Sequence, residues 1–287
     1  RRINWSQDDT ATIVRKIRCA DGFPGIKDQL LGRDLFLYNA HAETKLRGEP
    51  GTLIAHDHSA ICIATKDAAV WIGHLKDKQS SHPFKLPAAQ VLQQEIQDIP
   101  ALNNSVIQPI HYSKKDNVGY LSFDFYNGAM NTQQCHELRE ALIDAKRQDT
   151  QILVLLGGED FWSNGMHLNT IEAAESAADE SWDNINAIND LALEIINTDN
   201  QFIISTLRGN AGAGGVFLAR AADEVWARNG IILNPHYKDM GNLYGSEYWT
   251  YQLPRHAGDQ QVERITQSRL PMGTKEANEL RLVDKVM

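Results

Sequence analysis

Twice in this chain, a strand-length run of aliphatic residues leads directly into a glycine-rich turn. Ile152-Leu153-Val154-Leu155-Leu156 runs into Gly157-Gly158-Glu159-Asp160-Phe161-Trp162-Ser163-Asn164-Gly165-Met166-His167-Leu168. Phe202-Ile203-Ile204-Ser205-Thr206-Leu207 runs into Arg208-Gly209-Asn210-Ala211-Gly212-Ala213-Gly214-Gly215. Glycine lets the backbone come close to a ligand, and the first amides of a helix offer donors to an anion. Two such turns in successive units can present two N–H groups to one oxygen, an oxyanion hole. Close helix–sheet packing accounts equally well for a single glycine cluster. The second turn does not have the GxGxxG spacing of a dinucleotide site and lies deep in the chain. GxxxxGK[ST], HExxH and GxSxG are all missing from the sequence, which excludes the P-loop, zincin and α/β-hydrolase readings.

The two halves of the chain differ in rhythm. Its 287 residues are enough for two domains at roughly 150 residues each. Residues 1–87 read as short, β-leaning pieces after a helix over Asp9 to Ile17, with strands at 35–38, 52–54, 60–64 and 69–72. Close spacing of such strands predicts a small barrel. Residues 88–108 read as a linker carrying a helix over Gln90 to Ile96. From 109 to 287, strands alternate with helices, among them a long amphipathic one through Trp182, Ile185, Ile188, Leu191, Ala192 and Ile195, which predicts an α/β layer fold with a mostly parallel sheet. The fold class expected is thus α/β with a small N-terminal β-barrel.

Acidic residues outnumber basic ones by 37 to 28, a net charge of −9 that argues against nucleic acid or an anionic membrane as partner. The longest aliphatic run, Ile152–Leu156, is far short of the ~18–20 residues of a membrane span. Cys19, Cys62 and Cys135 form no CxxC pair, so neither a disulfide framework nor a zinc ribbon is expected and a cytoplasmic setting is. His56-Asp57-His58 reads as a turn between strands rather than a metal site.

Residues from about 109 onward resemble the crotonase (enoyl-CoA hydratase/isomerase) superfamily. Phe161 to Leu168 is similar to its F-x-x-G-x-D-L, and Arg208 to Gly215 to its N-G-x-A-x-G-G-G; Ala222-Asp223, Pro235, Gly241, Glu276-Ala277 and Leu282-Val283-Asp284-Lys285-Val286 also fit. The resemblance implies a crotonase (ββα)n fold. It implies that the amides of Met166 and Gly214 hold a thioester carbonyl, and that Gly128, Ala129, Asn164 and Leu168 line a coenzyme A site. It also shows departures. Phe217 stands where hydratases have one catalytic glutamate, and Asn234-Pro235-His236-Tyr237-Lys238 replaces the Pro-Glu that carries the other. Adding water across a double bond needs those carboxylates, so ordinary hydration is not expected. In their place is a cluster of His236, Tyr237, Tyr244, Glu247, Tyr248 and Tyr251. Tyr237 and Glu247 are the expected catalytic pair, whereas Tyr248, Trp249 and Tyr251 read as aromatic packing.

The first half is similar to the C-terminal, barrel-like domain of folate-dependent formyltransferases, on Ile3-Asn4-Trp5, Arg18 to Gly25 ending in Phe-Pro-Gly, and Gly51-Thr52-Leu53-Ile54. Such a half implies a support or docking module. The fusion of the two resembles the HypX/HoxX-type [NiFe]-hydrogenase maturation family, which Leu243 to Tyr251 also fits. That resemblance implies that a formyl group is passed from 10-formyl-tetrahydrofolate to coenzyme A by a folate-binding domain that this sequence lacks. The crotonase half would then decarbonylate formyl-CoA, with maturation proteins as partners and CO as the product. It further implies a piece that stops short of the last crotonase helices. Another CoA-thioester hydrolysis or isomerisation, or a non-catalytic scaffold, stays open at this level.

Overall fold

The computed structural model describes residues 2–102, 106–237, 245–268 and 270–287, in two compact units, Arg1–Gln108 and Pro109–Met287.

In the first unit, helix α1 (Thr10–Arg18) starts at Asp9, whose carboxylate accepts the Thr12 amide, satisfying one of the unpaired donors of the first turn. Its Ile13 and Ile17 are fully buried. Strands β1 (Ile26–Leu30), β2 (Arg33–Glu43), β3 (Leu53–His56), β4 (Ile61–Ala64) and β5 (Ala69–Asp77) form an antiparallel sheet in the order β1-β2-β5-β4-β3, with β6 (Leu86–Pro87) added to β5. Among the described residues this sheet does not close into the barrel expected: β1 pairs only with β2, and β3 pairs with β4 and, through a single bridge from His56, with Ala101. The stretch read as a linker starts inside this unit. Helix α2 (Ala88–Val91) follows β6, and Ala88, Ala89, Leu92 and Ile96 enter the same core as Leu35, Leu37, Val70 and Ile72.

The second unit is built on a six-stranded sheet. Its strands are β7 (Ile110–Lys115), β8 (Val118–Phe123), β10 (Ile152–Leu156), β13 (Phe202–Leu207), β15 (Glu224–Ala227) and β18 (Lys285–Val286), in the order β18-β15-β13-β10-β8-β7. All its pairings are parallel except that of β7 with β8. Leu153, Leu155, Ile203 and Leu207 are buried under helices α3 (Thr132–Lys146) and α5 (Ala177–Ile196), as expected of a parallel sheet covered by its crossovers. Helix α5 turns Ile188, Leu191, Ala192 and Ile195 inward, but Trp182 is 68 % exposed. The apolar stripe therefore begins later than the spacing predicted.

Short strands branch off after each main one. β9 (Ala129–Met130) pairs in parallel with β12 (Gly165–Met166), while β11 (Phe161–Ser163), β14 (Asn210–Gly212), β16 (Ile232–Asn234) and β17 (Met272–Gly273) make a separate sheet. Because β10 lies parallel to β13 and β11 parallel to β14, the two glycine turns run side by side. The remaining helices are α4 (Leu168–Glu172), α6 (Gly214–Arg220), α7 (Trp249–His256), α8 (Asp259–Gln267) and α9 (Thr274–Glu279). Among the described residues no helix is long and apolar enough to cross a membrane.

Candidate active site

The first turn is tied down by its own backbone. The Asn164 amide donates to the Gly128 carbonyl at 2.7 Å and its Nδ2 to the Asn127 carbonyl at 2.7 Å, while Gly165 pairs with Ala129. Gly128, Ala129 and Asn164 thus form one corner, with the Asn164 amide engaged by the turn itself. His167, where the family pattern has Asp, caps α4: its Nδ1 accepts the Thr170 amide at 3.2 Å. Burial holds this imidazole below the usual histidine range, in the neutral form that can accept. Leu168 begins α4 with its side chain 38 % exposed.

The second turn enters α6 through Ala213, whose φ of 45° is strained for a residue with a Cβ. Its amide donates to the Asn234 carbonyl at 2.9 Å, which pins the bend. The turns meet there. A Cβ built on Gly165 would stand 3.3 Å from the Gly214 nitrogen, and one on Gly214 would fall 2.1 Å from Oε1 of Glu247. A side chain at 214 would collide with that carboxyl.

Glu247 is 1 % exposed, and Tyr237 donates its hydroxyl to Oε2 at 2.7 Å. Burial raises the carboxyl above the ordinary glutamate range, and hydrogen bonds from Tyr237 and Ser246 offset only part of that. Burial, followed by the charge of Glu247 and the hydrogen bond to it, pushes the Tyr237 phenol well above its ordinary value. The Tyr237 ring stacks on Phe217, centroids 5.6 Å apart and planes 21° from parallel, and Trp249 leans on the other partner of that stack at 6.4 Å. Phe217 is fully buried, so an aromatic face backs Tyr237.

Of the wider aromatic cluster, Trp249 packs against the core, but Tyr248 and Tyr251 are 38 % and 48 % exposed, and the Tyr251 hydroxyl accepts from Arg255. The packing expected of those two tyrosines does not occur: Tyr248, just before α7, and Tyr251, on it, both reach the surface. Lys238, Gly241, Leu243 and Tyr244 lie outside the described residues. His236 stays beside the pair in sequence, its Nδ1 buried and without a hydrogen-bond partner among the described residues. Sequence reasoning missed Asn189 and Gln252, which hold the backbone of Glu247 from elements far apart in the chain. In the first unit, Asp57 accepts the Ser59 amide and hydroxyl, a local turn motif that also engages the His56 ring through the Asp57 carbonyl.

Residues 114–287 match the family described as Enoyl-CoA hydratase/isomerase, and residues 1–86 the Formyl transferase, C-terminal domain. The chain belongs to the enoyl-CoA hydratase/isomerase family. Within that family it is of HypX/HoxX type. It is 55 % identical over 287 residues to the hydrogenase maturation factor HoxX of Bradyrhizobium diazoefficiens, covering 100 % of this chain and 50 % of that protein. The crystal structure of HypX from Aquifex aeolicus in complex with tetrahydrofolic acid superposes with a TM-score of 0.93 at 46 % identity, over 99 % of this chain and 52 % of that one. The chain therefore spans about half the length of these relatives. A methionyl-tRNA formyltransferase from Variovorax paradoxus is 35 % identical over 77 residues, 26 % of this chain and 24 % of that protein. Enoyl-CoA hydratase from Bacillus halodurans, at 18 % identity and a TM-score of 0.57 over 63 % of this chain and 73 % of that one, shares the fold.

Proposed function

We propose that this enoyl-CoA hydratase/isomerase-family unit binds formyl-CoA and releases CO and free CoA, within a longer protein that matures [NiFe]-hydrogenase. The observation that carries the reading is the buried Tyr237–Glu247 hydrogen bond set against Gly214. The thioester oxygen would sit between the amides of Met166 and Gly214, with the nucleotide end of CoA toward Gly128, Ala129, Asn164 and Leu168. The adjacency of the two turns supports that arrangement, because it leaves room only for backbone at their meeting point.

Decarbonylation moves one proton and no oxidant is needed. The C–H pair stays on carbon as the lone pair of CO, the C–S pair departs with sulfur, and the proton goes from carbon to sulfur. Glu247, raised above the ordinary range, is the better base for it. Tyr237 passes its own proton to sulfur and recovers one from Glu247. The aromatic wall of Phe217 keeps water from the thioester and so disfavours hydrolysis to formate. The formyl group would come from 10-formyl-tetrahydrofolate, which accords with the tetrahydrofolate bound to the Aquifex HypX structure and with the formyltransferase-like first unit.

Formyl-CoA supplied to the full-length protein should yield CO, captured on reduced haem, and a Tyr237→Phe variant should lose about 10²–10⁴-fold in that rate, the range for one proton-transfer group. Parental CO release by the variant, or formate in place of CO, overturns the reading.

A further inference from the structure

Resting on the assignment of Glu247 to proton transfer, we infer that Asn189 is a positioning residue for that carboxyl, acting through the main chain of Glu247. Glu247 and the next residue, Tyr248, both have left-handed backbone, φ 54° and 55°, a strained conformation for residues with a Cβ. Such a conformation persists only where the surroundings fix it, and two side chains do so here. Asn189, half-buried on α5, accepts the Glu247 amide on its Oδ1 at 2.7 Å. Gln252, 1 % exposed on α7, donates its Nε2 to the Glu247 carbonyl at 2.5 Å. Both peptide groups flanking the Glu247 Cα are therefore held by side chains of different helices, which fixes the origin of its side chain, and the carboxyl lies against Gly214 and accepts from Tyr237.

Helix α5 also serves the opposite side of the site. Asn184, five residues before Asn189 and fully buried, accepts the His167 amide at 3.3 Å and donates to the Met130 carbonyl at 3.2 Å. These bonds brace the strand pair that carries Met166. One rigid helix thereby sets both the turn proposed to bind the acyl oxygen and the residue proposed to move the proton. A shift of 1 Å in a reacting group costs up to about a hundredfold in rate, so the bond from Asn189 matters for turnover more than for folding.

The test compares Asn189→Leu, Asn189→Asp and Glu247→Gln in the full-length protein. Asn189→Leu should lower kcat for CO release from formyl-CoA roughly ten- to a hundredfold, with KM near parental and a small fall in Tm from the amide left without its acceptor. Asn189→Asp keeps the acceptor and should restore most of kcat, with the pH profile moved upward by a new negative charge beside the carboxyl. Infrared spectroscopy reads the same geometry without turnover. The carboxyl band that disappears in Glu247→Gln should shift in Asn189→Leu and return in Asn189→Asp. An unmoved band, or an equal loss in Asn189→Leu and Asn189→Asp, overturns the positioning role. If Glu247→Gln turns over at the parental rate, the catalytic assignment fails instead, and the band alone decides the role of Asn189.

Discussion

Glu43 in the first unit and Glu247 in the second both expose little surface, 7 % and 1 %, yet their acidities move in opposite directions. Burial acts on both to raise the pKa. Glu43 is nevertheless held below its ordinary value, because the amides of Lys45 and Leu46 and the indole N–H of Trp71 all donate to its carboxylate. Glu247 meets fewer donors, and one of them, Tyr237, is itself a buried acid. Low residue exposure alone therefore does not separate a structural carboxylate from a reactive one. The Glu247 carboxyl lies deeper from solvent than that of Glu43, and fewer fixed N–H groups are aimed at it, so burial wins at Glu247 and the donors win at Glu43.

The contrast can be broken most severely at Gly214. Gly214→Ala places a methyl group against the Glu247 carboxyl, and CO release should fall by roughly a hundredfold or more while Glu43 and the first unit are untouched. Parental activity would mean that the carboxyl is not needed where it lies. On the other side of the comparison, Glu43→Ala should leave turnover intact. It should destabilise the first unit by about 1–3 kcal/mol in denaturant unfolding, since the Trp71 indole is left buried without an acceptor. No change in the unfolding midpoint would remove Glu43 from the structural class.

The smallest effect is the most diagnostic. The lowered Glu43 contributes stability that is present above the ordinary glutamate pKa and is lost as pH falls through its folded value. The raised Glu247 contributes stability that is present below the ordinary value and is lost as pH rises through its folded one. Glu43→Gln should therefore flatten the acid limb of stability against pH, and Glu247→Gln the limb on the other side. Neither slope change should exceed about 1.4 kcal/mol per pH unit, one proton's worth. Slopes of the same sign would show that the two carboxyls are alike.

Much of this site was legible because it is local. The glycine turns announce themselves by spacing, and Tyr237 and Glu247 stand ten residues apart beside Pro235, within one connection of the fold. Asn189 and Gln252 were not legible: nothing in the pattern tells an asparagine that accepts an amide 58 residues away, or a glutamine that reaches back five residues to a carbonyl, from a solvated side chain. The sheet strands were legible but their failure to close among the described residues was not, because closure depends on which edges pair, and short alternating strands do not encode that. Residues 88–96 read as part of a linker although Ala88, Ala89, Leu92 and Ile96 recur at helical spacing and all four are buried, because spacing shows that a short helix has an apolar face but not which core receives it. Trp182 joined the predicted stripe by spacing alone, at the end of a helix where burial had not yet begun.

The left-handed backbone at Glu247 has a bearing on descent. Glycine or asparagine would settle into that conformation with less strain, so chance substitution in a lineage freed from selection for turnover should drift toward them. A glutamate retained at this position in a distant cousin would mark a working catalyst, and a glycine there a retired one.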